Sequence, residues 1–430
     1  MKHIGVIESN LSGSGFDGIR IAKELGCRVT FFSSGLDRYL AVPRGRQMLD
    51  EHVDAVELGQ TTELAPLMER VRAVHAARPL SALMSMAEYE VVVAAEAATI
   101  LGLPTPDPEA VRIARNKVHM RRRCAQHGVA MPAFRAVDSG DRAAQAAREV
   151  GLPCVVKPAD ETASADVRLC ATVEEAVEQF EVIHAQTHNV RGQRRHHEVL
   201  VEECVRGPEV SVEILAAGDR LHVLGVTDKM VGGDGRYVEL GHVFPSQLPT
   251  ALRDACARVA TDAVRAVGFD LGLAHVEVKI GAHGPQLIEV NPRPAGDLIT
   301  ELVDRSLGIS CLELVVRQYL GQHLELEPTA ATLRGAAIRF LTAAPGRVVA
   351  VDGAERAAAM PGVCAAAIAP NIGDLVGPLL RNEDRAGYVL AIGEDAAAAA
   401  RNAERALAEM AVVTVPVDAA LVAVGAGESP

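Results

Sequence analysis

His275-Val276-Glu277-Val278-Lys279-Ile280 and, after Gly281-Ala282-His283-Gly284-Pro285, Gln286-Leu287-Ile288-Glu289-Val290-Asn291 form the stretch that decides how this chain is read. Successive strand residues point to opposite faces, so His275, Glu277 and Lys279 share one face and Val276, Val278 and Ile280 the other. The same period groups Leu287, Glu289 and Asn291 opposite Ile288 and Val290. A five-residue connection containing two glycines predicts a hairpin. Placing Ile280 opposite Gln286 sets Glu277 against Glu289 and His275 against Asn291. Facing like charges destabilise a sheet unless something positive lies between them. A hard divalent cation fits, because Mg²⁺ takes carboxylate and amide oxygens together with phosphates. Asn291 supplies a third oxygen, and Arg293, just past the strand, is placed for a phosphate or a developing oxyanion. The alternative is a solvated sheet face carrying unpaired acids, and the spacing by itself leaves both open.

The rest of the chain sets bounds on that hairpin. With 430 residues, two or three domains are expected. Almost half the residues are apolar, as in globular proteins with sizeable cores. A formal charge of −13 argues against a nucleic-acid binder, which needs clustered Lys and Arg, and makes small molecules the expected partners. The first ten residues lack the features of a secretory signal. No apolar run approaches the roughly 18 residues that span a bilayer. Eight cysteines without CxxC spacing read as reduced thiols, so a cytoplasmic location and no membrane partner are expected.

Short apolar runs at His3 to Glu8, Arg28 to Ser33 and Leu80 to Met84, with a helix over Gly15 to Leu25, predict an α/β region with parallel pairing over 1–113. Asp107-Pro108-Glu109 opens a helix with an N-cap oxygen, a first-turn Pro and an early acid. A second helix covers Asn116 to His127. Strands follow at Pro153 to Pro158, Glu198 to Glu203, Glu209 to Ala216 and Arg220 to Thr227, the middle two joined by a turn at Gly207-Pro208. His184 to His197 holds four histidines, but Arg191, Arg194 and Arg195 among them favour a solvated loop over a metal site. After Tyr319-Leu320-Gly321 the composition turns to Ala and Val, with strands near Ala336 to Leu341 and Tyr388 to Ile392 and a helix over Asp395 to Met410. The fold class is therefore mixed α/β and α+β, ending in a small C-terminal α+β domain over 328–430.

Gly13-Ser14-Gly15-Phe16-Asp17-Gly18 is a literal GxGxxG between a strand and a helix, the setting of a dinucleotide fingerprint. That fingerprint requires an acid at the end of the next strand, where Ser33-Ser34 stands instead. A strand-to-helix corner also needs glycines for conformational reasons alone, and the structural explanation is preferred.

The hairpin, taken with sites upstream, resembles the ATP-grasp superfamily over at least residues 114 to 325. Asn116-Lys117 and Val155-Val156-Lys157-Pro158 are similar to its two phosphate-binding lysines, Lys117 and Lys157. Leu200 to Val205 resembles the hinge strand that edges adenine through Glu202, Glu203 and Val205, and Glu209 resembles the ribose-binding acid. Glu277, Glu289 and Asn291 match the magnesium ligands and Arg293 the catalytic arginine. The resemblance implies a central ATP-grasp domain over 114–327 with a mobile lid at about 133–203. It also implies ATP and Mg²⁺ (or Mn²⁺) as cofactors. One departure stands out: Ala159 to Asp166, where many relatives have a glycine-rich flap, contains no Gly. Ile7-Glu8-Ser9-Asn10, Tyr89, Gly241-His242-Val243-Phe244-Pro245 and Asp384-Arg385-Ala386-Gly387-Tyr388 resemble the L-amino acid ligase branch.

By that resemblance the expected function is an ADP-forming ligase. It would activate a small carboxylate as an acyl phosphate and couple it to an amine, that of an amino acid, as an amide. A homodimer is the assembly such relatives often adopt. Two rivals remain open at this stage: an ATP-grasp carboxylase, and a non-catalytic nucleotide-binding module. A dinucleotide reductase is the least favoured.

Overall fold

The structure, a computed structural model, describes residues 1–11, 14–232, 238–322 and 334–417. Gly13 of the GxGxxG stretch and the division at 327/328 lie outside the described residues.

The N-terminal region is a four-stranded parallel sheet built from His3–Ile7, Arg28–Ser33, Ala55–Leu58 and Ala82–Met84, with helices on both sides. Helix Ser14–Glu24 follows the first strand closely. A Cβ on Gly15 would sit 2.3 Å from Ser9 Oγ and one on Gly18 would sit 2.6 Å from Met86 Sδ. Close packing thus accounts for both glycines. The acid missing from the end of the second strand is replaced by Glu8 at the end of the first. Its carboxylate accepts from Ser34 N (2.6 Å), Tyr39 Oη (2.6 Å), Thr61 Oγ1 (2.9 Å) and Arg38 (3.0 Å). Glu90, equally buried, has no hydrogen bond on either carboxylate oxygen among the described residues. Burial first, and then the charge of Glu8, push it up to about 7.

A second sheet has eight antiparallel strands in the order Gly284–Asn291, Leu271–Gly281, Glu209–Ala217, Arg220–Gly232, Val238–Phe244, Gly335–Leu341, Gly387–Gly393, Val363–Ile368. Helix Thr250–Val267 covers its apolar face, packing Ala260 and Val264 among Val212, Val276, Val278 and Val290. The sheet runs unbroken from the central strands into the C-terminal ones, because Gly335–Leu341 pairs with Val238–Phe244. A three-stranded sheet of Leu375–Val376, Gly346–Asp352 and Ala411–Val415 completes the C-terminal part.

A third unit pairs Phe134–Val137, Val199–Glu203, Cys154–Pro158 and Arg168–Cys170 under helices Gly140–Val150 and Val173–His184. The expected Gly207-Pro208 turn joins these two strands and carries the chain from this small sheet (Val199–Glu203) to the large one (Glu209–Ala217). Gly207 is needed there: at φ +146° its Cα faces Ile280 O, and a Cβ would lie 2.0 Å from that oxygen. Arg121, fully buried, joins the two sheets. Its Nε lies 2.6 Å from Glu202 of the small sheet, and its Nη atoms donate to Leu287 O and Ile288 O of the large one at 3.0 Å. Among the described residues no helix is long and apolar enough to cross a membrane. All eight cysteines are free thiols.

Two outcomes follow for stability. Arg121→Met should cost roughly 3–5 kcal/mol in denaturant unfolding, because it leaves Glu202 and two carbonyls without their buried donor. For Glu90, the folded-state pKa lies above the unfolded one, so the unfolded chain releases the proton first and stability falls as pH rises from about 4.5 to about 7. Glu90→Gln has no proton to lose. Between pH 4.5 and pH 8 the wild type should therefore lose roughly 2–3 kcal/mol relative to that variant; parallel pH profiles would refute the account.

Candidate active site

The expected hairpin forms, and Glu277 is opposite Glu289 and His275 opposite Asn291. The path to that register differs from the sequence reading. Ala282 and His283 alone make a tight turn, so Ile280 faces Pro285 rather than Gln286, and Val278 faces Leu287. Between these pairs and Glu277–Glu289 the register shifts, leaving Ile288 as the extra residue of a bulge. A bulge inverts the alternation of faces. Leu287 therefore lies in the core with Val278 and Val290, not beside Glu289.

Neither carboxylate is bare. Lys229 Nζ lies 2.7 Å from Glu277, 2.7 Å from Glu239 and 2.9 Å from Glu209, and Lys117 Nζ lies 2.7 Å from Glu289. His275, between Glu213 (2.8 Å) and Glu277 (3.6 Å), is pushed up to about 10. Burial alone would lower it, and the two carboxylates outweigh burial. Burial would raise Glu277, but Lys229 and then His275 hold it well below the usual carboxylate range. Three carboxylates thus share the single ammonium of Lys229, and their oxygens come within 4.8 Å of one another. This set of hard oxygen donors, next to Glu289 and the buried amide of Asn291, fits a divalent cation.

The other expected positions converge on the same end of the sheet. Lys157 is buried, 2.6 Å from Glu202, and close enough to Lys117 for the two cations to depress its pKa; burial is the larger cause. Burial would raise Glu202, but Arg121 and Lys157 hold it at about 2. The Glu202 side chain is therefore committed to those two cations. Glu203 accepts from Ala133 N at 3.3 Å, and Val205 packs against Gly281 at the hairpin turn. Glu209, besides Lys229, lies 3.5 Å from Lys279. Arg293 is held by Glu88, which also meets Arg115 at 3.2 Å. Burial would raise Glu88, but Arg293 and Arg115 keep it at about 2.

The flap Ala159 to Asp166 closes over these lysines. Lys117 donates to Glu161 O (2.7 Å), and the Glu161 carboxylate accepts from Tyr89 Oη (2.9 Å). Although it has no glycine, the flap takes left-handed backbone at Ala163 (φ 53°), Ser164 (φ 58°) and Asp166 (φ 58°). Asp166 O is tied to Gln179 (2.7 Å) and its carboxylate to Arg195 (3.2 Å).

Sequence reasoning missed Lys229, Glu239, Glu88 and Asp297 altogether. The predicted strand stopped at Thr227, two residues short of Lys229, whereas the real one reaches Gly232. Glu239 joins this cluster to a second one. It lies 3.2 Å from the buried His242, which is 3.8 Å from Asp297, itself paired with Arg385 at 2.6 Å. Burial would lower His242, but Asp297 and Glu239 outweigh it and raise its pKa. Arg385 also lies over the Phe340 ring at 3.7 Å. His242 and Arg385 sit in the two short motifs that the sequence had flagged without a role.

Comparison with known proteins fits this arrangement. Residues 19–105 match the ATP-grasp N-terminal domain family, 150–301 the ATP-grasp domain, and 339–415 the L-amino acid ligase C-terminal domain 2. An uncharacterized protein of Sinorhizobium fredii is 32% identical over 309 residues, covering 71% of this chain and 62% of that protein. The D-alanine–D-alanine ligase of Bordetella avium is 28% identical over 221 residues, covering 47% of this chain and 64% of the ligase. The chain thus spans less than two thirds of the length of these relatives. In fold it is similar to the L-amino acid ligase from Bacillus licheniformis, with a TM-score of 0.80 and 22% identity over 96% of this chain and 99% of that one. The two ATP-grasp matches together take in more than half of the chain, which belongs to the ATP-grasp superfamily; its residues 339–415 are similar to the C-terminal domain of L-amino acid ligases.

Proposed function

We propose that this protein is an ADP-forming ligase that activates a carboxylate with ATP as an acyl phosphate and joins it to the amine of an amino acid. One observation carries this reading: Glu277 and Glu289 face each other in register, while Lys117 and Lys157 arrive from two other elements at the same end of the sheet. Such a grid of acids and ammonium groups is what a metal-bound polyphosphate needs around it. The names of the relatives agree, since a D-alanine–D-alanine ligase is among them.

Glu277, Glu289 and Asn291 would hold Mg²⁺, whose charge, when bound, offsets that of the phosphates. Lys117 would exchange its contacts with Glu289 and Glu161 O for phosphate oxygens, and Lys157 would neutralise phosphate from the small sheet. The backbone near Glu203 and Val205 would edge the base, and Glu209 would reach the ribose. Arg293, oriented by Glu88, would stabilise the oxyanion that forms when the amine attacks the acyl phosphate. The second cluster supports an amino-acid substrate. Glu239 and Asp297 can receive an ammonium group, and Arg385 a carboxylate. Free thiols throughout are consistent with a cytoplasmic site of action.

Incubation with pairs of amino acids and Mg²⁺-ATP should release ADP for the correct pair and give a product of the condensed mass. With hydroxylamine in place of the amine, a hydroxamate should form, whereas a carboxylase acting on bicarbonate would give none. ATP binding with no ADP release under any pair would sink the ligase reading. Glu289→Ala should lower turnover by at least about a hundredfold, since even partners of metal ligands are worth 10–100-fold. Full activity in that variant would remove Glu289 from the metal site.

A further inference from the structure

The His184 to His197 stretch, which the sequence suggested was merely solvated, is drawn back onto the body of the protein. Gln193 Nε2 donates to Tyr89 O at 2.9 Å, and His188 bridges to Arg194. Arg194, His196 and His197 thereby come against helices Pro108–Arg115 and Lys117–Gln126. They line a cavity of about 540 Å³, open to solvent, together with Arg112, Asn116 and His119, whose remaining walls are Asp160 and Arg195.

The balance of charge in this cavity is one-sided. Its single acid, Asp160, accepts the His196 backbone N–H at 2.7 Å. Some of its cations are already matched, Arg195 by Asp166 and Glu161, Arg112 by Glu96 and Glu109, and the His196 ring by Glu198 at 3.2 Å. The side chains of His119, Arg194 and His197 make no hydrogen bond or ion pair with the described residues. Their rings cluster, with His119 edge-on to His196 at 5.2 Å and His196 to His197 at 4.8 Å. Burial first, then the neighbouring His196 and Arg122, hold His119 below its usual pKa against the opposing pull of Glu198 and Glu109. The Asn116 cap on His119 N at 3.0 Å marks the positive end of helix Lys117–Gln126 at the same place. His119 is two residues from Lys117, just over half a helical turn, so the cavity lies behind the nucleotide lysine and is not part of the site described above.

We propose that this cavity is a second oxyanion site, taking a phosphate-class dianion between the loop Arg194 to His197 and the two helices. Arg194 offers a planar fork, and His119 and His197 offer ring N–H donors, a set that matches phosphate oxygens. A bound anion would cross-link the small-sheet unit to the body directly behind Lys117.

The test is calorimetric titration of the full-length protein with inorganic phosphate, and separately pyrophosphate, in excess MgADP at constant ionic strength. Wild type should bind one further phosphate with a rise in Tm. The double variant Arg194→Ala/His197→Ala alters two exposed side chains and should bind at least about tenfold more weakly. Lys157→Ala should leave this binding unchanged. The proposal is overturned if wild type binds no phosphate, if the double variant binds like wild type, or if Lys157→Ala abolishes binding, which would assign the phosphate to the nucleotide site.

Discussion

Two glutamates placed opposite each other on neighbouring strands repel, and the candidate site is organised around that repulsion. Glu277 and Glu289 stay ionised side by side because Lys229 reaches the first from the next strand but one, and Lys117 reaches the second from a helix start. Each lysine comes from a part of the chain far from the hairpin. Lys229 also ties in Glu209 and Glu239, so it fixes the relative positions of four strands of the large sheet. The site is consequently rigid in its acids and exchangeable in its cations, since a metal or a phosphate can take over contacts that the lysines now make.

The same logic extends outward in both directions. Towards the small sheet, Arg121 and Lys157 converge on Glu202, which pins the strand that would edge a base against the strand that carries Glu289. Towards the C-terminal strands, Glu239 hands the network on to His242, Asp297 and Arg385. The positions proposed to meet nucleotide and the acid-rich region around Asp297 are thus linked through Lys229 and Glu239, and Arg293 is held by Glu88 of the N-terminal region.

The flap shows a different solution to a familiar requirement. A turn that brings backbone close to phosphate usually relies on glycine to reach the left-handed region. Here Ala163, Ser164 and Asp166 adopt it, each at a cost of order 1–2 kcal/mol. Contacts from Gln179 and Arg195 to Asp166, and from Tyr89 to Glu161, hold the segment in place. In this chain those side-chain contacts hold a turn that has no glycine.

The parallel N-terminal pairing, the caps at Asp107 and Asn116 and the hairpin were legible in the sequence because each rests on local chemistry: strand alternation, an N-cap oxygen, a glycine-bearing turn. The lysines, the acids of the hairpin and Arg293 could be named for the same reason, with the family resemblance assigning their parts. What the sequence could not supply were long-range pairings. Nothing in Thr227 to Gly232 announces that Lys229 serves three carboxylates, and nothing near Tyr89 announces that Glu88 holds Arg293. The bulge at Ile288, which moves Leu287 into the core while leaving Glu277 opposite Glu289, was equally invisible, because a strand's own pattern does not record the register of its partner. Local propensity determined which elements form and which residues carry charge. Tertiary packing alone decided which charges meet, since burial makes an unpaired ion so costly that the fold must bring partners together from anywhere in the chain.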